Sequence, residues 1–153
     1  MIEKRYKPKY FELYELLSPY AYKAEYYDSE EARERGFLLM DEKLLITIDV
    51  IRGEIIKAPL ICNTWYMDGN RQWCGYREPN CPVGASMSQH KLGKAVDLIC
   101  YKYTAEEMRQ MIIEKQDLLP YPIRMETGEN ISWCHIDVKD MDYKKKKIVL
   151  FKG

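Results

Sequence analysis

The stretch Ile131-Ser-Trp-Cys-His-Ile-Asp-Val138 decides the fold. Side chains alternate along an extended strand, so Trp133, His135 and Asp137 share one face while Cys134 and Ile136 take the other. Thr127-Gly128-Glu129-Asn130 precedes it as a turn, and Ile123–Glu126 before that supplies a partner, so Ile123–Val138 reads as a hairpin. Working outward, Ala95–Tyr103 (AVDLICYKY) alternates well enough for a further strand. Pro59–Trp65 (PLICNTW) reads as a buried one, and Ile148–Phe151 closes the chain.

Helices flank these strands. Tyr10–Tyr22 reads as a short helix stopped at Ser18-Pro19, because proline disfavours helix at the residue before it. Asp28–Arg35 reads as a helical turn or exposed loop. Behind Asp41, an N-cap residue, Leu44, Leu45, Ile48 and Ile51 recur at helical spacing and predict a helix ending near Gly53. Thr104-Ala-Glu-Glu107 is a capping box opening a helix with Met108, Met111 and Ile112 on its apolar face. Asp68–Ala85, broken by Gly and Pro, reads as a long surface loop. The expected class is α+β, a small antiparallel sheet with flanking helices in a single domain of 153 residues.

Composition sets outer bounds. Hydrophobic residues make up 46% and charged residues 31%, enough apolar material for a core. Lys plus Arg (24) balance Asp plus Glu (24), so no net field draws the chain to nucleic acid or an anionic membrane. The Lys144–Lys147 run reads as solvated surface. No segment approaches the ~18 apolar residues of a membrane span, and the N-terminus lacks a signal-peptide pattern. A soluble protein made in the cytoplasm, without membrane insertion, is expected. Five cysteines without a CxxC pair read as buried free thiols; Cys74 and Cys81, in one Gly/Pro-rich segment, are the pair that could bridge or share a metal.

Chemistry concentrates around the only two histidines, His90 in Ser88–Asp97 (SQHKLGKAVD) and His135 in Ser132–Asp137 (SWCHID). Gly93 permits a tight bend and Ala95 takes little space, so His90 can fold back towards Asp97. Two imidazoles and one carboxylate leave a fourth tetrahedral position open, the layout of a catalytic zinc site, where bound water has a pKa of about 7. Cys134 points to the other strand face and is a poor ligand.

The two segments, SxHxxGxAxD and WxHxD, resemble the zinc D-Ala-D-Ala carboxypeptidase and hedgehog-type metallopeptidase superfamily, especially the short peptidase domains of bacteriophage and bacterial cell-wall enzymes. Asn63-Thr64-Trp65, Asp68-Gly69 and Cys74-Gly75-Tyr76-Arg77 are similar to that group's upstream elements, so the resemblance covers residues 37–140 or so. It implies a hedgehog/DD-peptidase-like fold, His90, Asp97 and His135 as Zn2+ ligands, Ser88 as a supporting residue, and Arg77 as a group that binds substrate or polarises its carbonyl. The implied substrate is the peptide of peptidoglycan, cut by a carboxypeptidase or an endolysin-type endopeptidase acting at the cell wall after release or as part of a virion. A catalytically inactive zinc-binding wall-binding or virion module is the alternative. The chain departs from the pattern at the general base: some members carry Glu three residues before the last histidine, where this chain has Ser132. Glu126 takes that role if the hairpin register turns it to the His135 face, with Glu129 and Asp137 as alternatives. Asp137 is better suited to orienting an imidazole. Of the tryptophans, Trp73 is the better candidate for substrate contact, and Trp133 reads as core or as a cleft wall.

Overall fold

The computed structural model describes residues 5–85 and 87–153; the first four residues of the basic N-terminal segment lie outside them. Four strands form one sheet: β1 (Ala95–Leu98), β2 (Ile123–Thr127), β3 (Cys134–Asp137) and β4 (Ile148–Lys152), in the order β1-β3-β2-β4. β3 is antiparallel to both neighbours, with Asp97 opposite His135 on one side and Arg124 opposite Asp137 on the other. The α+β class holds, but the sheet is mixed rather than antiparallel throughout, because β4 runs parallel to β2. After β3 the chain reverses through the exposed, left-handed Lys144 and Lys145 and docks on the free edge of β2, whose direction it then shares.

Alternation sorts the two faces. Val96, Leu98, Ile123, Met125, Cys134 and Ile136 enter the hydrophobic core, where they meet the buried sides of two helices. One is α4 (Glu42–Val50), whose first turn is capped by Asp41 accepting from the Lys43 amide at 2.8 Å. The other is α5 (Ala105–Glu114), opened by the Thr104–Glu107 capping box, with Met108 and Ile112 buried. α4 does not stop at Gly53; it continues as a wider-wound turn over Ile51–Ile56, which buries Ile55 and Ile56 and ends at left-handed Lys57. Gly53 serves close approach instead, since a Cβ there would lie 2.8 Å from the Tyr10 ring.

Three further helices, α1 (Leu13–Leu16), α2 (Pro19–Glu25) and α3 (Glu30–Gly36), precede α4. The expected single helix over Tyr10–Tyr22 is two. Ser18-Pro19 ends the first and also begins the second, with Ser18 Oγ accepting from the Ala21 amide and Pro19 in the first turn, where its missing N–H costs nothing. Asp28–Arg35 resolves as α3, capped by Ser29.

The expected strand Pro59–Trp65 is absent apart from a single bridge between Ile61 and Ile99. Its hydrogen bonds go elsewhere. Asn63 N donates to Glu15 O, Asn63 Nδ2 donates to Leu17 O, and Thr64 and Trp65 N both donate to Arg71 O. Buried Asn63 thereby ties α1 to the long loop, and its Oδ1 accepts from Cys74 N at 2.9 Å. That loop is not confined to the surface. Tyr76 N donates to Leu16 O, Cys74 O accepts from Asp97 N, and Gly75 is buried where a Cβ would lie 2.1 Å from Leu16 O. All five cysteines are free, so Cys74 and Cys81 are not bridged, and Cys74 and Cys100 are only half-buried. Among the described residues no helix is long and apolar enough to cross a membrane.

Candidate metal centre

The sheet face turned away from the core carries the chemistry. His90 sits in a tight turn, Gln89–Leu92, where Ser88 Oγ accepts from the His90 amide at 3.3 Å. Gly93 ends that turn at φ +70°, and a Cβ there would lie 1.9 Å from Leu39 O. Glycine is therefore required twice over, by conformation and by space. The turn delivers His90 to the start of β1, and register places His135 beside Asp97.

His90 Nδ1 is 2.9 Å from Gly75 O. A carbonyl only accepts, so Nδ1 carries the proton and Nε2 presents its lone pair, 3.3 Å from Asp97 Oδ2. Asp97 Oδ1 lies 2.9 Å from His135 Nδ1, and the far nitrogen of that ring, Nε2, is 2.7 Å from Asp137 Oδ2. Asp137 is fully buried and is gripped by Arg124 through two bonds, at 2.9 Å and 2.8 Å. Arg124 in turn lies 4.0 Å over the Phe151 ring, which meets His135 edge-on at 5.5 Å.

His90, Asp97 and His135 are all buried, and one ligand atom from each lies within 4.8 Å of the others. The set can hold a metal ion, and each imidazole has the outer hydrogen-bond partner that a ligating histidine needs, Gly75 O for one and Asp137 for the other. Burial favours the neutral form of Asp97, but the His135 ring that donates to it and the His90 ring beside it outweigh that and hold its carboxyl well below the usual range. Burial lowers the His135 pKa, yet the carboxylates of Asp137 and Asp97 raise it to about 9. Without a cation between them, these acids are balanced by a protonated ring.

The three residues open onto a cleft of about 460 Å³ that also takes in Arg77, Ser88, Glu126 and Trp133. Arg77 Nη2 is 3.6 Å from Asp97 Oδ2, and its Nε donates to Trp73 O at 2.7 Å, which fixes the guanidinium at the cleft edge. Continuing the β2–β3 register beyond Met125 opposite Ile136 sets Glu126 across from His135, on the same face. The other carboxylates considered for proton transfer are placed differently. Asp137 is committed to Arg124 and His135, while Glu129 lines a separate pocket together with Ser132 and Arg109. Among the described residues the Glu126 side chain has no hydrogen-bond donor. Trp73 lies outside the cleft lining: its ring stacks on Tyr20 at 5.8 Å, and its indole N–H donates to Glu78. Trp133 lines the cleft instead.

Sequence reasoning missed Arg124, Lys139 and Phe151, all of which line the cleft. Arg124 stands two residues before Glu126 on β2 and so shares its face, a signal that strand alternation carried. Phe151 had no such signal, because its place depends on β4 crossing to the far edge of β2. The chain matches no family model, no curated protein and no solved structure.

Proposed function

We propose that this chain is a zinc-dependent peptidase that hydrolyses peptide bonds of peptidoglycan stem peptides, as a carboxypeptidase or an endolysin-type endopeptidase. The observation that carries the reading is the buried His90–Asp97–His135 set opening on a cleft that holds both an arginine and a carboxylate, Glu126, without a donor among the described residues. The motif resemblance supplies the substrate class. Zinc is favoured by two neutral imidazole nitrogens with one carboxylate, and when bound it supplies Lewis acidity and activates water near neutral pH.

The chain's own residues then divide the work. Gly75 O and Asp137 hold the two rings in their ligating tautomers. Glu126 takes a proton from the attacking water and returns it to the leaving amine. Arg77, anchored by Trp73 O, stabilises the negative charge developing on the carbonyl oxygen. Trp133 and Phe151 supply apolar wall, and Lys139 adds a positive charge suited to a peptide carboxylate. Location at the cell wall, by release or within a phage particle, follows from this reading.

One observation favours a second reading, a wall-binding or virion module that keeps the metal and has lost hydrolysis. Ser132 replaces the expected glutamate and lies in a different pocket from the histidines. Digesting purified peptidoglycan with the zinc-loaded protein and sequencing new peptide termini tests both. New D-Ala termini or new internal amines support the peptidase, whereas zinc-loaded protein that releases none contradicts it.

A further inference from the structure

A second concavity of about 460 Å³ lies among the N-terminal helices and the turn after Asn63. Five aromatic side chains line it: Tyr14, Tyr22, Tyr27, Trp65 and Tyr66. Their rings meet at steep angles. Trp65 and Tyr66 stand at 90° with centroids 6.0 Å apart, Tyr22 and Tyr27 at 88° and 6.3 Å, and Tyr14 and Tyr66 at 55° and 4.5 Å. The first two contacts are edge-to-face and the third is tilted, and all five rings border the concavity. Trp65 is held in place, since its Nε1 donates to Leu17 O at 2.9 Å.

Tyr22 carries the argument to a ligand. It is only 7% exposed, and among the described residues its hydroxyl has no hydrogen-bond partner. Beside the rings of the basin it offers a guest a group that both donates and accepts. The hydroxyls of Tyr14 and Tyr27 are likewise without partners among the described residues. The rim adds one charge of each sign, Lys23 and Asp68. Lys23 Nζ already sits 5.6 Å over the Trp65 ring, so an organic cation would meet a like charge, and an anion would meet Asp68. A neutral guest with apolar C–H faces for the rings, and hydroxyls that both donate and accept, satisfies every feature at once.

We propose that this basin binds a neutral saccharide. Its assignment to the glycan strand of peptidoglycan rests on the function proposed above, whereas the basin itself does not. The test titrates the whole chain with the N-acetylglucosamine trisaccharide, followed by 1H–15N NMR with the Trp65 indole N–H as reporter. Saturable shifts confined to the basin are expected. Tyr27→Ala, at a residue 64% exposed and therefore neutral to folding, weakens binding about tenfold. Tyr22→Phe, which deletes only the hydroxyl, weakens it about three- to tenfold. His90→Ala leaves saccharide binding unchanged, which separates failure of the metal reading from failure of this one. Three results overturn the proposal: no saturable shift with the trisaccharide, shifts indifferent to both tyrosine variants, or displacement of the sugar by tetramethylammonium at lower concentration. Tighter binding of maltotriose than of the N-acetylglucosamine trisaccharide overturns the glycan-strand assignment.

Discussion

Asp137→Asn tests how the candidate metal centre is held. One buried carboxylate receives four donors: His135 Nε2 at 2.7 Å, Arg124 Nη2 at 2.8 Å, Arg124 Nε at 2.9 Å and the Lys139 amide at 3.2 Å. An amide of the same shape keeps one oxygen and turns an NH2 group towards the remaining donors. Placed at Oδ1, the NH2 opposes Arg124 Nε and the Lys139 amide; placed at Oδ2, it opposes His135 and Arg124 Nη2. Either way Asp137 no longer fixes the His135 ring by charge. Loss of such an outer partner weakens metal binding about 10- to 100-fold, or about 1.4–2.7 kcal/mol. The Arg124 guanidinium also loses its counter-charge, and breaking a buried pair from one side costs up to about 3–5 kcal/mol of stability. The assay is therefore zinc affinity by competition with a chelator, run well below the variant's unfolding temperature, alongside the Tm of the metal-free protein. Arg124→Met should lower affinity as well, and the double variant should lose less than the sum, since both act through one network. Zinc affinity within twofold of the unaltered chain, with only the metal-free Tm reduced, would refute the idea that this network orients His135.

Glu126→Gln should retain zinc while lowering peptide hydrolysis at least about 100-fold; unchanged turnover moves the base elsewhere. Gly93→Ala forces a left-handed residue against Leu39 O, so urea unfolding should show a loss of at least about 1–3 kcal/mol, and an unchanged midpoint contradicts the geometry. Burial disfavours the Asp41 charge, but the Lys94 ammonium 2.6 Å away and the Lys43 amide outweigh it and lower the carboxyl's pKa. A lowered folded pKa adds stability above the unfolded value of about 4, and that stability is lost as pH falls through the folded one. The Tm gap between the unaltered chain and Asp41→Asn, which still caps α4, should therefore shrink on acidification from pH 7 to below about 4. A gap that widens would contradict the sign.

The set of residues that could hold a metal was legible where the signal was local. Two histidines in separate segments and the two-residue period of β3 were enough to place His135 and Asp137 on one face and Cys134 in the core. The side of Glu126 was readable only as a condition, because face depends on register, and register is a property of two strands together. Pro59–Trp65 misled because its apolar run has the period of a buried strand, while its backbone donors Asn63, Thr64 and Trp65 go to Glu15 O and Arg71 O, far off in sequence or across a turn. Ser18-Pro19 was read as a stop from proline's effect on the preceding residue. Proline in a first turn behind a capping serine carried the opposite message just as clearly. The Trp73 contacts with the Tyr20 ring and Glu78 were not legible, because they are of tertiary origin.

Elemental analysis of freshly purified protein tests the central claim most directly. His90, Asp97 and His135 should carry ~1 zinc per chain, and His90→Ala or His135→Ala should abolish it while the far-UV circular dichroism of the fold persists. Freshly purified, folded protein without stoichiometric zinc, or zinc that survives both histidine substitutions, would contradict the account.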